Sequence, residues 1–599
     1  VWQLARRHRT ADAVVGLAPA LAALADRATA PTRHTPGLLR RGAHPAVAVD
    51  AVHERVDRLV EKVARRGAGN RVLGDPRGRR AWHTVLRSPA LSDIRRQLWG
   101  ERVSERLLAM DRPADAAAAR AAAAHRMRAP GTRAEWLAAA ATAELSAGRV
   151  PPFLSEAAAA ELVRADLALT RGDVLEATRS VARIFPFLFN RAVHFDSLES
   201  PSARDPGFLA PLHRSLAGRT IAAPRGRRSP AASPPTDRPH RLLFLTRANE
   251  YFLGEIRERY ENDPRFEVRH FDLLADEQRE PLTRQTGKLI LHQLAGESEY
   301  GDAVREWFAP QVEWADTVFV DWCLGHAAML ATLDPGTTRI IVRLHSYEAF
   351  TVFPHLLDLS RVDDLVFVSE PLRDLTMDLV PRLRQPGAPR TPVVSNAIPL
   401  DRYRRPKTPE ARFTLGLVGL SAIAKDPRWA FDILREVRRR DDRYRLVLIG
   451  NELDGTRNPQ AAAYHKAYAK DLADLEAEGA VRRVGQTSDV AGALTEVGVI
   501  LSTSVREGFP LAVAEGTASG AVPVVRNWPF FAGRRYSARS IYPADWIVET
   551  PAEAADRILA HTAAEEVWRK TGEAAAEHAL INWDWSVTQA EYDRLLLEP

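Results

Sequence analysis

Apolar positions in the first 221 residues recur with helical spacing. Val52, Val56, Leu59, Val60 and Val63 form one stripe, and Gly67 suits its stop. Alanine-rich helices are expected over 114–127, 133–147 and 156–170, and Gly172–Asp173 turns the chain into another over 174–184. Residues 222–240 hold Pro, Ser and Arg with no apolar period, as a linker would. The pattern then changes. Short β-branched and aromatic runs alternate with helical stretches at 241–246, 266–271, 317–321, 339–344, 365–369 and 392–395. A second set follows at 413–419, 444–450, 481–485, 497–501 and 522–525. Two doubly wound α/β domains in tandem, behind a helical domain, place a ligand cleft between the carboxyl ends of two parallel sheets.

The helical part, from Ala165 to Ala177, resembles a tetratricopeptide-type helix pair, with small residues for close approach and Gly-Asp for the turn. The period is too irregular to count repeats. A module that holds a protein partner or an acceptor and an ordinary helical domain both stay open.

The 599-residue length calls for three or four domains. With 45% hydrophobic and 27% charged residues the chain reads as globular, and no apolar run approaches the roughly 20 residues of a bilayer span. The start, Val1 to Arg7, shows no secretory h-region; it also lacks an initiator Met, so a longer precursor or a trimmed chain stays open. Cys323 is the single cysteine, which excludes an internal disulfide and a cysteine zinc site and points to the cytoplasm. The net charge of +6 includes the runs Arg77–Arg80 and Arg225–Arg228. It fits either an anionic partner, such as the inner face of a membrane touched peripherally, or an arginine-rich composition without further meaning.

The chemistry concentrates in Ser504-Val505-Arg506-Glu507-Gly508-Phe509-Pro510-Leu511-Ala512-Val513-Ala514-Glu515-Gly516. A strand ends in a loop, Pro510 suits the first turn of a helix, and Gly520 stops that helix. Glu507 then sits on the loop. Glu515 sits a turn inside the helix on the face of Leu511, so both acids can address one cleft. Gly508 admits a ligand to the backbone, and the N–H groups of the helix start favour phosphate or sugar hydroxyls.

Two glutamates with seven residues between them resemble the EX7E signature of retaining GT-B glycosyltransferases, the group 1 or family-4 type. The likeness extends to Ala518–Val525 as helix, turn and strand, to Ser395–Tyr403 as interdomain crossover, and to Asn582–Ser586 with the helix after it as the segment returning to the first domain. It covers 241–599. It implies a GT-B fold with residues 241–400 as acceptor domain, 401–580 as nucleotide-sugar donor domain and 581–599 as returning helix.

The resemblance further implies that Glu515 holds the ribose, that Glu507 faces the donor sugar, and that Gly508, Phe509, Pro510 and Leu511 line the donor site. Lys425, just before a helix opened by Asp426 and Pro427, suits a diphosphate and resembles the family's phosphate lysine. The arginine the family places directly after the glycine of this loop is Leu420 here, after Gly419, which leaves Arg506 or Arg428 to supply the charge. His345 ends a strand where the family has a histidine facing the donor sugar. Asn249, Asp321 and His326 follow strands of the first domain and are assigned to the acceptor by position.

The expected activity is hexosyl transfer from a nucleoside-diphosphate sugar to a hydroxyl of a glycan, cell-envelope polymer or lipid-linked glycan, as in polysaccharide biosynthesis, with no cofactor and no metal. An inactive GT-B-like scaffold binding a partner through its helices is the alternative, favoured by Leu420. A nucleotide-sugar isomerase is a second one. Nucleic-acid binding by the basic N-terminal part is a third, and nucleic acid is not an expected partner.

Overall fold

The computed structural model describes residues 68–89, 91–205, 207–248, 250–456 and 459–598. The expected helix over Val52–Val63, its stop at Gly67 and the acceptor candidate Asn249 lie outside them. The chain forms two compact units, 1–173 and 174–599.

The described part of the first unit is a series of helices: Ala68–Gly74, Pro76–Leu86, Asp93–Leu108, Pro113–Ala124, Pro130–Ser146 and Leu154–Thr170. Alanine lets neighbouring helices approach closely. A Cβ on Gly100 would stand 2.8 Å from both the Ala123 Cβ and the Trp136 ring. Buried Arg96 ties the turn before its helix, donating to the carbonyls of Leu86 and Ser88 and pairing with Asp93.

The second unit begins at Val174, ahead of the stretch 222–240 expected as a linker. Val174–Leu188 packs against Thr286–Ala295 of the first sheet domain. Its apolar stripe, with Val181, Ile184 and Phe185, is buried there. The compact boundary therefore falls at Asp173 and not in the Pro-rich stretch 222–240. That stretch has no regular structure between Ala222 and His240, but it is strapped to the sheet domain. Arg227 pairs with both carboxylate oxygens of Asp363 and donates to Gly336 and Thr338 carbonyls, and Ala232 N donates to Thr337 O.

Two all-parallel sheets follow. The first has β1 (His240–Thr246), β2 (Phe266–Asp272), β3 (Thr317–Asp321), β4 (Arg339–Leu344) and β5 (Asp364–Phe367) in the order β2-β1-β3-β4-β5. The inner strands β3 and β4 are buried at every residue, as a sheet covered on both faces requires. The expected strand at 392–395 is reduced to isolated bridges, Asp364 with Arg390 and Phe367 with Val393. Pro392 lacks an N–H to extend the ladder.

The second sheet has β6 (Thr414–Val418), β7 (Arg445–Ile449), β8 (Val481–Gly485), β9 (Val499–Ser502), β10 (Val522–Arg526) and a short β11 (Ile547–Val548), in the order β11-β10-β9-β6-β7-β8. The sequence pattern did not mark β11, which is two residues long.

Strand order reverses between β1 and β3 in one sheet and between β6 and β9 in the other. The loops after these four strands are where a ligand crevice forms. The last helix, Trp585–Leu597, returns to the first sheet and buries Tyr592, Leu595 and Leu596 in its core. Its entry is tied to the crossover: Trp585 N donates to Ile398 O, and Leu400 N donates to Asp584 Oδ1 at 2.8 Å.

Candidate active site

A cavity of about 370 Å³ opens at the two switch points. Tyr251 and Phe252 reach it from the loop after β1, Trp322 from the loop after β3, and His345, Ser346 and Tyr347 from the loop after β4. From the second sheet come Gly419 and Lys425 after β6, and Glu507, Gly508 and Phe509 after β9. Leu511, Ala512 and Glu515 of the helix Leu511–Ala518 complete that wall. The two acids set seven residues apart thus line one cavity.

Each acid has a defined partner. Glu507 Oε1 accepts from Lys425 Nζ and from Ser504 Oγ, both at 2.5 Å. Glu515 is buried, and Tyr403 Oη donates to its Oε1 at 2.6 Å. Burial raises the Glu515 carboxyl above its ordinary value, against the lowering pull of Tyr403 and Arg402. Lys425 is presented by a strained turn. Asp426 stands at φ 44°, in the left-handed region, and makes no capping bond to the helix Pro427–Arg438. Its carboxylate is instead held by Arg526 and Tyr464, each at 2.7 Å. Trp322, at φ 69°, is another of the three non-glycine residues with positive φ among the described residues. Two of the three therefore flank the cavity, where stored strain commonly collects.

Gly508 is required by close approach. A Cβ there would lie 2.9 Å from the Ser346 Cβ of the opposite domain. Ser369 Oγ, from that domain too, donates to Gly508 O at 2.6 Å.

His345 is wired from behind. Its Nε2 meets Asp321 Oδ1 at 3.2 Å, and Arg343 Nε meets the same oxygen at 2.7 Å. Arg343 also donates to Tyr592 Oη on the returning helix at 2.9 Å and to Phe252 O at 3.0 Å. Burial works against the Asp321 charge, but Arg343 and His345 outweigh it and hold the carboxyl well below its usual range. Burial lowers His345, so its ring is neutral at pH 7. The ring is sandwiched by Phe252, with centroids 4.9 Å apart, and Trp322 at 4.2 Å. Buried Glu348 joins the loops after β3 and β4, its Oε1 accepting from the backbone N–H of His345 and Cys323. Burial pushes its carboxyl up to about 8.

Of the residues singled out from sequence, Glu507, His345, Lys425, Glu515, Gly508, Phe509, Leu511 and Gly419 line the cavity. Five others do not. Pro510 occupies the position just before the helix and faces elsewhere. Arg506 is not among the residues that line the cavity; it is buried, donates to the carbonyls of His194 and Ser197, and lies over Phe350 and Phe530. Asp321 lies beneath His345, neutralised by Arg343, and faces no acceptor. His326 is buried on the helix Gly325–Leu330, where its Nε2 meets Asp321 O at 2.9 Å and burial lowers it to about 4. Asn249 is outside the described residues.

Arg428, the other candidate for the phosphate charge, pairs with Asp471 at 2.8 Å. Leu420 is 1% exposed in the core of the second sheet domain and is not among the residues that line the cavity. Tyr251, Phe252, Trp322, Tyr347, Asn396, Ser504 and Tyr403 were not singled out from sequence. Apart from Asn396 and Tyr403, which lie in the noted crossover, and Ser504, which opens the motif, they are single residues after strands and carry no periodic signal. Among the described residues, no cluster of three or more His, Cys, Asp or Glu is arranged to hold a metal ion, and no helix is long and apolar enough to cross a membrane.

Two facing doubly wound domains, a crevice at both switch points and a last helix returning to the first domain define the class of fold: GT-B architecture. Residues 412–560 match the family model described as Glycosyl transferases group 1, so the second sheet domain is a group 1 glycosyltransferase domain. No curated protein matches the sequence. Among solved structures, Anabaena HepE in complex with UDP and glucose aligns at 15% identity over 60% of this chain and 99% of its own, with a TM-score of 0.44. A UDP-forming trehalose-phosphate synthase from Burkholderia xenovorans aligns at 11% identity over 60% and 99%, with a TM-score of 0.43. TarM aligns at 14% identity over 51% of this chain with a TM-score of 0.40, and this chain spans 59% of the TarM chain.

Proposed function

We propose that the protein is a retaining glycosyltransferase that moves a sugar from a nucleoside diphosphate to a hydroxyl of a glycan or lipid-linked glycan. The observation that carries this reading is the meeting of Glu507, Glu515, Lys425 and His345 in one cavity at the two switch points. Glu515 takes the ribose hydroxyls, with Tyr403 fixing its other oxygen. Lys425 exchanges Glu507 for the diphosphate and neutralises the charge that builds on the leaving group. Glu507, still held by Ser504, faces the sugar as positive charge develops at its anomeric carbon. The anomeric C–O bond to the diphosphate breaks with its electron pair leaving on the phosphate, and the acceptor oxygen adds to that carbon as its proton passes to the departing phosphate oxygen. The enzyme's share is positioning and preorganised charge, with no metal in the step. The reading places the protein in the cytoplasm, with its basic surface suited to peripheral contact with an anionic membrane.

Thermal shift against UDP, GDP, ADP and TDP identifies the nucleotide, since a ligand that binds the folded state raises its apparent stability. Calorimetry then compares Glu515→Ala with the parent. A large loss of affinity is expected; equal affinity sinks the assignment. Turnover of the matching nucleotide sugar to free sugar separates an enzyme from an inactive scaffold.

A further inference from the structure

The segment from Asn190 to Arg204 precedes both sheet domains in the chain, yet it backs part of the cavity wall. Arg506, the neighbour of Glu507, is fixed by the carbonyls of His194 and Ser197. The Phe195 ring lies on the Tyr347 ring, with centroids 4.7 Å apart and planes 29° apart. The Arg191 guanidinium sits over Phe195 at 5.6 Å. Tyr347 lines the cavity. One face of its ring is covered by Phe195, yet the residue is still 39% exposed. Its hydroxyl makes no hydrogen bond among the described residues. It stands beside Ser346, which packs on Gly508 next to Glu507, whereas the contact of Glu515 is with Tyr403. Tyr347 is thus tied to the Glu507 loop twice, through Ser346 on Gly508 and through Phe195, whose neighbours His194 and Ser197 hold Arg506.

A large aromatic surface left open at a cavity is an apolar face awaiting a partner. Because Phe195 stacks behind it, the Tyr347 ring is already oriented and loses little freedom when a ligand covers it. A pyranose offers the matching shape, a flat C–H face bordered by hydroxyls. Glycerol or a serine side chain has no such face. On the glycosyl-transfer reading just given, we infer that Tyr347, backed by Phe195, is the stacking platform for the acceptor, and that the acceptor presents a pyranose ring there. Acceptor choice then resides partly in a helical segment outside the two sheet domains.

The test uses the full-length protein with UDP-glucose, UDP-N-acetylglucosamine and GDP-mannose as donors. Acceptors are the methyl pyranosides of glucose, galactose and N-acetylglucosamine, set against glycerol and a serine peptide. The parent is expected to prefer a pyranoside. Tyr347→Ala should raise the pyranoside KM relative to that for glycerol by roughly threefold to tenfold, the worth of one aromatic stack. Tyr347→Phe should retain the parent ratio. Saturation-transfer NMR should show ring C–H contact in the parent and its loss in Tyr347→Ala. A parent that turns over a donor but prefers glycerol, or an unchanged ratio in Tyr347→Ala, overturns this inference alone. A parent that neither hydrolyses nor transfers any donor overturns the glycosyl-transfer reading and this one with it.

Discussion

Gly508→Ala tests the cleft geometry most directly. The added Cβ would lie 2.9 Å from the Ser346 Cβ, below any real contact, and 3.4 Å from Ser346 N and Oγ. The Ser346 Cβ is attached to the backbone and cannot swing aside. Relief requires the two walls to part, and overpacking of this kind costs about 1–3 kcal/mol. The walls belong to two domains joined through the crossover and Asp584, so parting them is easier than unfolding either one. The cost should appear in ligand affinity. Calorimetry with the nucleoside diphosphate that the parent binds should show a loss of about 5-fold to 150-fold, with little change in Tm. Ser346→Gly removes the opposing atom. In the double variant the affinity should return to within about threefold of the parent, the usual tolerance of an additive cycle. If Gly508→Ala binds as tightly as the parent, or the double variant binds as weakly as the single, the closed approach of the two walls is wrong.

Arg506→Ala should lower Tm, by a loss of about 1–3 kcal/mol for two carbonyls left without their donor, and should leave nucleotide affinity unchanged; lost affinity at constant Tm would return Arg506 to the phosphate. Arg343→Met leaves Asp321 buried without its cation, for which about 3–5 kcal/mol is expected in denaturant unfolding, and an unchanged midpoint would contradict the buried pair. The pH dependence follows from His194 and His326, both lowered to about 4 by burial. Their unfolded forms bind protons below about 6.5 while the folded forms do not, so stability is complete above that pH and falls as pH drops toward 4. The pair should account for about 4 kcal/mol lost between pH 7 and pH 5, partly offset by Glu348, whose carboxyl, raised to about 8, gains stability over the same range; urea unfolding reads the sum, and a profile that rises toward pH 5 would refute it. Asp321 has a depressed value, so its contribution is present above about 3.9 and lost only below that pH.

The donor side of the cavity was readable in the sequence because its geometry is local. One strand end, one loop and one helix start carry Glu507, Gly508, Leu511 and Glu515 within nine residues. Side-chain direction on the loop was less readable. Arg506 and Glu507 are adjacent, yet only Glu507 lines the cavity, because Arg506 is held by the carbonyls of His194 and Ser197, more than 300 residues earlier. Asp321 reads as a polar residue at a strand end, free for an acceptor. Only the register of β3 on β4, which sets Asp321 beside Arg343, makes it a buried counter-ion. The boundary at Asp173 rests on the packing of Val174–Leu188 on a helix over 100 residues later, and no local composition marks it.

The buried chain from Tyr592 through Arg343 and Asp321 to His345 sets what the cavity can offer a sugar. Tyr592 donates to Ser395 O in the crossover and receives from Arg343, so the returning helix fixes the guanidinium at one end. The ionised Asp321 can only accept, so the proton of His345 lies on Nε2. The ring nitrogen left over is Nδ1, an acceptor, and neutral His345 keeps it so at pH 7. A group that meets it must donate a hydrogen bond, which a sugar hydroxyl does and a phosphate oxygen does not. On the proposed function, the cavity then separates its ligand's chemistry in space, with Lys425 for the anionic part and His345 for a hydroxyl. The last helix belongs to that division as much as the loops that touch the ligand.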